Sequence, residues 1–311
     1  PLPGDARVAL IGRPAVDTTL MGGGSAQVNP AHRVSIADGM TAALGERLQV
    51  VDGVEVRALP VRGRPGFVVD PENGMPGMHL RLFDAGGGVL ADEHVPDTQR
   101  LVGVDDDLPR PAMRARLTAR VEHGGPVLLG VIGLGSWTVA AGGVTARATI
   151  RPLTADHSES VLIPPTHTVE VDLDGPTLVE AEVTVEPGSG TRRGGEVSTG
   201  LLTMVGLIAR PAPRPDEDVI ADAVAAARTA DVAVVVVGVT EEQETEARDK
   251  TTLSLPGAQD QLVTAVAGAA RRTVVVVNAA TPVLTPWADR VDSIIAIGLP
   301  GQEGGHAVAA A

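Results

Sequence analysis

The chain has 311 residues, 43% of them hydrophobic and 21% charged, with a mean hydropathy of +0.15, which is globular composition in a length sufficient for two cores. Its 39 acidic and 25 basic residues give a net charge of −14. That charge disfavours nucleic acid as a partner, and no apolar run approaches the about 18 residues of a membrane span. The lack of cysteine excludes disulfides, thiol catalysis and cysteine-held metals. Two phenylalanines, two tryptophans and no tyrosine leave little for stacking ligand rings.

The chain opens Pro1-Leu2-Pro3 with neither methionine nor a signal peptide and closes at Ala311 in a helical pattern. Both ends suggest a piece of a longer protein. Arg7–Gly12 predicts a short buried strand. Ser35-x-x-Asp38 resembles a capping box and predicts a helix over Ile36–Leu44. Leu48–Val51 and Val54–Val56 return to strand character. From about residue 61 to 212 the period changes. His79–Phe83, Ala115–Val121, Val127–Ile132, Thr168–Leu173 and Leu178–Val185 are short alternating segments between glycine-rich turns, the pattern of an all-β sandwich or barrel.

Beyond Pro215 the helical period reappears in Val219, Ile220, Ala223, Val224 and Ala227. Asp231–Val237 is a continuous valine-rich run, as expected of a parallel strand buried on both faces. A helix over Pro256–Ala270, strands over Thr273–Val277 and Ile294–Ile297, and a helix from Gly304 complete the chain. The predicted organisation is therefore an open α/β sandwich with flavodoxin-like layers, formed by 1–60 and 213–311 and interrupted by an all-β insertion over 61–212 with proline-bracketed ends.

Three candidate sites follow. Gly22-Gly23-Gly24-Ser25, between a strand and a helix, is either a structural loop or an anion cradle, although its spacing departs from the dinucleotide fingerprint. The loop after the valine run carries Glu241, Glu242, Glu244 and Glu246, and it lies where open α/β sheets bind ligands. A desolvated glutamate there has the raised pKa that a general acid needs; the alternative is a solvated acidic surface. Asp105-Asp106-Asp107 could hold calcium or simply form a turn. The seven histidines lack H-x-x-x-H or H-x-H spacing, so no zinc site and no cofactor are expected. Trp287 is expected to be a packing anchor.

The ordered motifs Val232–Gly238, Glu244-Thr-Glu246, Leu253-Ser-Leu-Pro-Gly257-Ala-Gln259, Val274–Asn278, Thr281-Pro-Val283, Pro286-Trp-Ala-Asp289 and Pro300-Gly-Gln-Glu-Gly304 resemble the C-terminal α/β sandwich domain of glycoside hydrolase family 3. Val8–Gly12, Gly22–Ala26, Val34-Ser35 and Asp38-Gly39 fit the start of that domain. His79–Phe83, Asp84 and Gly130–Trp137 are similar to a PA14 β module, which β-glucosidase-like members carry at this point. The resemblance implies a retaining β-glycosidase whose nucleophilic aspartate belongs to a preceding barrel domain, absent from this chain. It also implies that the acid/base glutamate comes from a pattern like E-x-E-G-aromatic-D-R. Here that reads Glu244-Thr-Glu246-Ala247-Arg248-Asp249-Lys250. Glu246 is accordingly the acid/base candidate, Glu244 its reserve, and Arg248 and Asp249 the substrate-binding candidates. Ala247, Arg248 and Lys250 depart from the pattern, and Arg248 would lower the Glu246 pKa and so oppose acid catalysis. The implied partners are a carbohydrate substrate and the barrel; a homo-oligomer is compatible with the composition. The alternatives are a non-catalytic carbohydrate-binding module or inactive glycosidase homologue, and an α/β domain holding phosphate at Gly22–Ser25. The cysteine-free composition suits a cytoplasmic or a secreted setting alike.

Overall fold

The computed structural model describes residues 4–24, 28, 30, 32–57, 67–103, 108–152, 160, 164–184, 191–193, 196–198, 200–201, 203–246 and 249–311. The chain divides into two compact units, one made of Pro1–Ala58 with Arg214–Ala311 and the other of Leu59–Pro213.

The first unit contains β1 (Val8–Ile11), α1 (Arg13–Val16), α2 (Ile36–Leu44) and β2 (Leu48–Val51) from the N-terminal part. The C-terminal part adds α3 (Asp216–Thr229), β16 (Val232–Gly238), α4 (Gln259–Ala267), β17 (Thr273–Asn278), β18 (Ser293–Ala296) and α5 (Gly304–Ala310). All five strands run parallel in the order β18-β17-β16-β1-β2. Every residue of β16 is buried, and its side chains alternate. Ala233, Val235 and Val237 face α3 and α4, whereas Val232, Val234 and Val236 face α2 and α5. The valine run thus serves two apolar layers at once, which gives three layers, helices–sheet–helices.

Helix α2 starts where a reciprocal cap fixes it. Ser35 Oγ accepts the Asp38 amide at 3.1 Å, and Asp38 accepts the Ser35 amide at 3.0 Å. It crosses α5 so closely that a Cβ on Gly39 would lie 2.1 Å from the Gly305 carbonyl oxygen. One expectation needs correction here, and one element joins those expected. Val54–Val56 is not a strand: both valines are buried, but the segment leaves the sheet, and the Glu55 carboxylate accepts the Val56 and Arg57 amides. Residues 13–16 form a short helix, because Pro14 is pre-set for a first turn.

The second unit contains β3 (Val68–Val69), β4 (Met78–Phe83), β5 (Val89–Val95), β6 (Gln99–Val102), β7 (Arg114–Val121), β8 (Gly125–Ile132), β9 (Gly135–Ala141) and β10 (Val144–Ile150). It continues with β11 (Thr166–Leu173), β12 (Thr177–Thr184), β13 (Thr191–Arg193), β14 (Glu196–Ser198) and β15 (Thr203–Pro211). One antiparallel sheet runs β10-β9-β12-β7-β4-β5, with β3 paired to β7; a second runs β11-β8-β15-β6. Leu80, Leu117 and Val183 of the first sheet share one apolar cluster with Leu129, Val171 and Leu207 of the second, the arrangement of a β-sandwich.

Candidate active site

In the parallel sheet the strand order reverses between β1 and β16, and the loops that leave their carboxyl ends border the crevice where such sheets bind ligands. These two loops are locked together. The Gly23 amide donates to the Glu244 carbonyl at 2.8 Å, and Gly23 forms a parallel bridge with Thr245. A Cβ on Gly22 would lie 2.9 Å from the Glu244 carbonyl oxygen; one on Gly23 would lie 3.0 Å from that of Glu241; one on Gly24 would lie 2.8 Å from Glu246 Cβ. Gly24 also has φ +81°, a conformation open to glycine at little cost. Residues 22–24 therefore form a seat for the acidic loop. Their free volume is taken up by that loop, which argues against an anion cradle there. Ser25 lies outside the described residues.

The two candidate glutamates occupy different environments. Glu244 is 8% exposed. Its carboxylate accepts the Ala280 amide, the Thr281 amide and the Thr281 hydroxyl, each at 2.8 Å. Lys250 Nζ lies 3.8 Å from the same carboxylate and donates to the Thr281 hydroxyl. Glu244 thus ties the loop after β16 to the loop after β17. Glu246, two residues on, is exposed, and its Oε2 lies 3.4 Å from the position of a Cβ on Gly24. Asp249 is exposed. Arg248 and Ala247 lie outside the described residues, as do Asp105, Asp106 and Asp107.

Buried polar side chains hold the strand ends in register beneath these loops. Asn278, fully buried at the end of β17, accepts the Thr19 amide at 2.9 Å. It donates to the carbonyls of Thr19 at 3.0 Å and Gly298 at 2.8 Å. Gln259 donates to the Gly238 carbonyl and accepts the Gly238 amide, both at 2.8 Å. The Arg57 guanidinium makes a two-pronged pair with Glu241, both contacts at 2.8 Å. Burial works to lower the Arg57 pKa, but Glu241 outweighs it and the net shift is upward. Sequence reasoning gave Asn278, Gln259 and Arg57 no role. The readable signal was a polar residue closing a four-valine run, as Asn278 does. Trp287 is 1% exposed and donates from Nε1 to Asp260 at 2.8 Å, the packing role expected of it.

Comparison with known proteins places this geometry. The model of the glycosyl hydrolase family 3 C-terminal domain matches residues 1–311. Beta-glucosidase B of Emericella nidulans is 29% identical over 339 aligned positions, which cover 97% of this chain and 36% of that protein. Thermostable beta-glucosidase B of Acetivibrio thermocellus is 43% identical over 94 positions, or 30% of this chain and 12% of that protein. Among solved structures, a beta-glucosidase from Kluyveromyces marxianus in complex with glucose superposes with a TM-score of 0.80 at 21% identity, covering 99% of this chain and 37% of that one. DesR, a beta-glucosidase from Streptomyces venezuelae in complex with D-glucose, gives a TM-score of 0.51 at 25% identity and covers all of this chain and 33% of that one. The chain therefore spans little more than a third of the length of these full-length matches. Among the described residues no helix is long and apolar enough to cross a membrane.

Proposed function

Because the chain belongs to the family of glycosyl hydrolase family 3 C-terminal domains, we propose that it is the α/β part of a retaining β-glycosidase acting on β-glucosides. In this reading Glu246 is the acid/base. Retaining enzymes set two carboxyl groups about 5–5.5 Å apart, one attacking the anomeric carbon and one protonating the departing oxygen, then deprotonating the water that completes the reaction. The attacking carboxylate belongs to the barrel domain that the family resemblance implies. One observation carries the assignment of roles: Glu244 spends its carboxylate on three donors of the neighbouring loop, whereas Glu246 is exposed above the glycine seat at the sheet's reversal point. Glu244 then anchors the loop, and Glu246 is the solvent-exposed carboxylate of the pair. Asp249 and Arg248 are the proposed substrate contacts. We assign the β-sandwich unit as a PA14-like module.

The test uses the full-length protein. Glu246→Gln is expected to lower turnover of an alkyl β-glucoside by about 10²–10⁴-fold. A dinitrophenyl glucoside, whose leaving group needs no proton, is expected to recover most of the bond-cleavage rate. An unchanged rate on the alkyl substrate would remove Glu246 from the mechanism.

A further inference from the structure

The β-sandwich unit carries a cluster of metal-ligating side chains far in sequence from the acidic loop. The turn between β3 and β4 supplies Asp70 and Glu72, β4 supplies His79 and Arg81, and β5 supplies Asp92 and His94. In the β4–β5 ladder His79 is opposite His94 and Arg81 opposite Asp92, so the two cross-strand pairs share one face of the sheet. Asp70 is fully buried. Its carboxylate accepts the Glu72 amide at 2.8 Å, His94 Nδ1 at 2.9 Å and His79 Nδ1 at 3.2 Å.

This arrangement fixes the His79 ring. The buried Asp70 carboxylate accepts from Nδ1 and so turns Nε2 toward the two outer carboxylates. Nε2 faces Asp92 Oδ1 at 2.5 Å and Glu72 Oε2 at 3.6 Å. Three potential ligand atoms converge, all within 4.8 Å of one another, and either a proton or a metal ion fits between them. The outer oxygens of the two carboxylates are already held: Arg81 Nε reaches Asp92 Oδ2 at 2.9 Å and Arg81 Nη2 reaches Glu72 Oε1 at 2.7 Å. Each potential ligand thus has its second partner in place, as metal ligands do. Three carboxylates, those of Asp70, Glu72 and Asp92, and one guanidinium, that of Arg81, meet in this cluster.

We propose that His79 Nε2, Glu72 and Asp92 bind a divalent first-row ion of the zinc class, with water completing its shell. One imidazole and two carboxylates suit such an ion. Metal–ligand bonds of about 2.0–2.2 Å ask the Nε2–Oδ1 contact to open and the Nε2–Oε2 contact to close, each by less than about 1 Å. Glu72 and Asp92 are about half exposed, at 47% and 46%, which provides an entry path. The ion would cross-link the 70–76 turn to the β4–β5 hairpin. The sequence gives no hint of it, because a single histidine with carboxylates 7 residues before and 13 after matches no zinc spacing.

Calorimetric titration of the whole 311-residue chain with zinc chloride at neutral pH tests this. One ion per chain and a rise in Tm that EDTA reverses are expected. Glu72→Gln and Asp92→Asn change half-exposed side chains, so folding is checked by circular dichroism; each is expected to weaken binding at least about tenfold. His306→Ala removes a ring from the exposed His32–Glu303–His306 group and is expected to leave the affinity unchanged. No zinc heat would mean that a proton on Nε2 does this work and would overturn the proposal. So would zinc binding that both carboxylate variants leave intact.

Discussion

At the scale of single residues, position in the acidic loop gives three of its four glutamates distinct tasks. Glu241 pairs with partly buried Arg57, Glu244 holds the loop after β17, and Glu246 is exposed above the glycines. The division was not legible in the sequence, where the four are chemically alike; it depends on which strand end each one faces. Three motif residues quoted for family resemblance, Glu244, Gln259 and Asn278, turn out to be buried hydrogen-bonding staples. Gly24 belongs to the same structure. Gly24→Ala would force a left-handed conformation on an L side chain, at about 1–2 kcal/mol, and push a methyl group into Glu246 Cβ. If Glu246 is the acid/base, as proposed, turnover of the full-length protein is expected to fall about a hundredfold, with little change in urea midpoint beyond that strain. Wild-type turnover in Gly24→Ala would show that the seat does not position Glu246.

At the scale of elements, period and caps carried most of the information. The valine run, the Ser35–Asp38 box and the 3.6-residue pattern after Pro215 each encode their own local geometry, and the structure has β16, α2 and α3 there. Strand β5 escaped notice because VLADEHV puts polar residues on both of its faces. Val54–Val56 misled in the opposite sense: two buried valines imitate a strand although no neighbouring chain pairs with them. The α2–α5 crossing was equally unreadable, since it rests on two glycines far apart in sequence. A methyl group on Gly39 would meet Gly305 backbone atoms at 2.1 and 2.2 Å. Gly39→Ala is expected to cost about 2–3 kcal/mol by overpacking, read as a lower urea midpoint. A midpoint equal to that of the wild type would mean that α5 packs elsewhere.

At the scale of the molecule, each unit owns its apolar core. One cluster lies wholly in the β-sandwich, and the two clusters that flank the parallel sheet lie wholly in the α/β unit. A segment with a complete core folds by itself. Residues 59–213 expressed alone are therefore expected to show β-type circular dichroism and one cooperative thermal transition. A gradual, non-cooperative melt would mean that this core depends on the rest of the chain. The alternation of apolar residues revealed the β character of that segment, while its pairing order came only from the coordinates. Sheet order follows from contacts between distant strands, such as β12 between β7 and β9, which local pattern does not encode.

The backbone lock between Gly23 and Glu244 sets a rule for anyone who rebuilds specificity in this scaffold. An acidic loop grafted from another protein would arrive without its matching floor and collide with whatever stands at 22–24. The two stretches are one interchangeable part supplied by opposite ends of the chain, and a successful transplant must carry both.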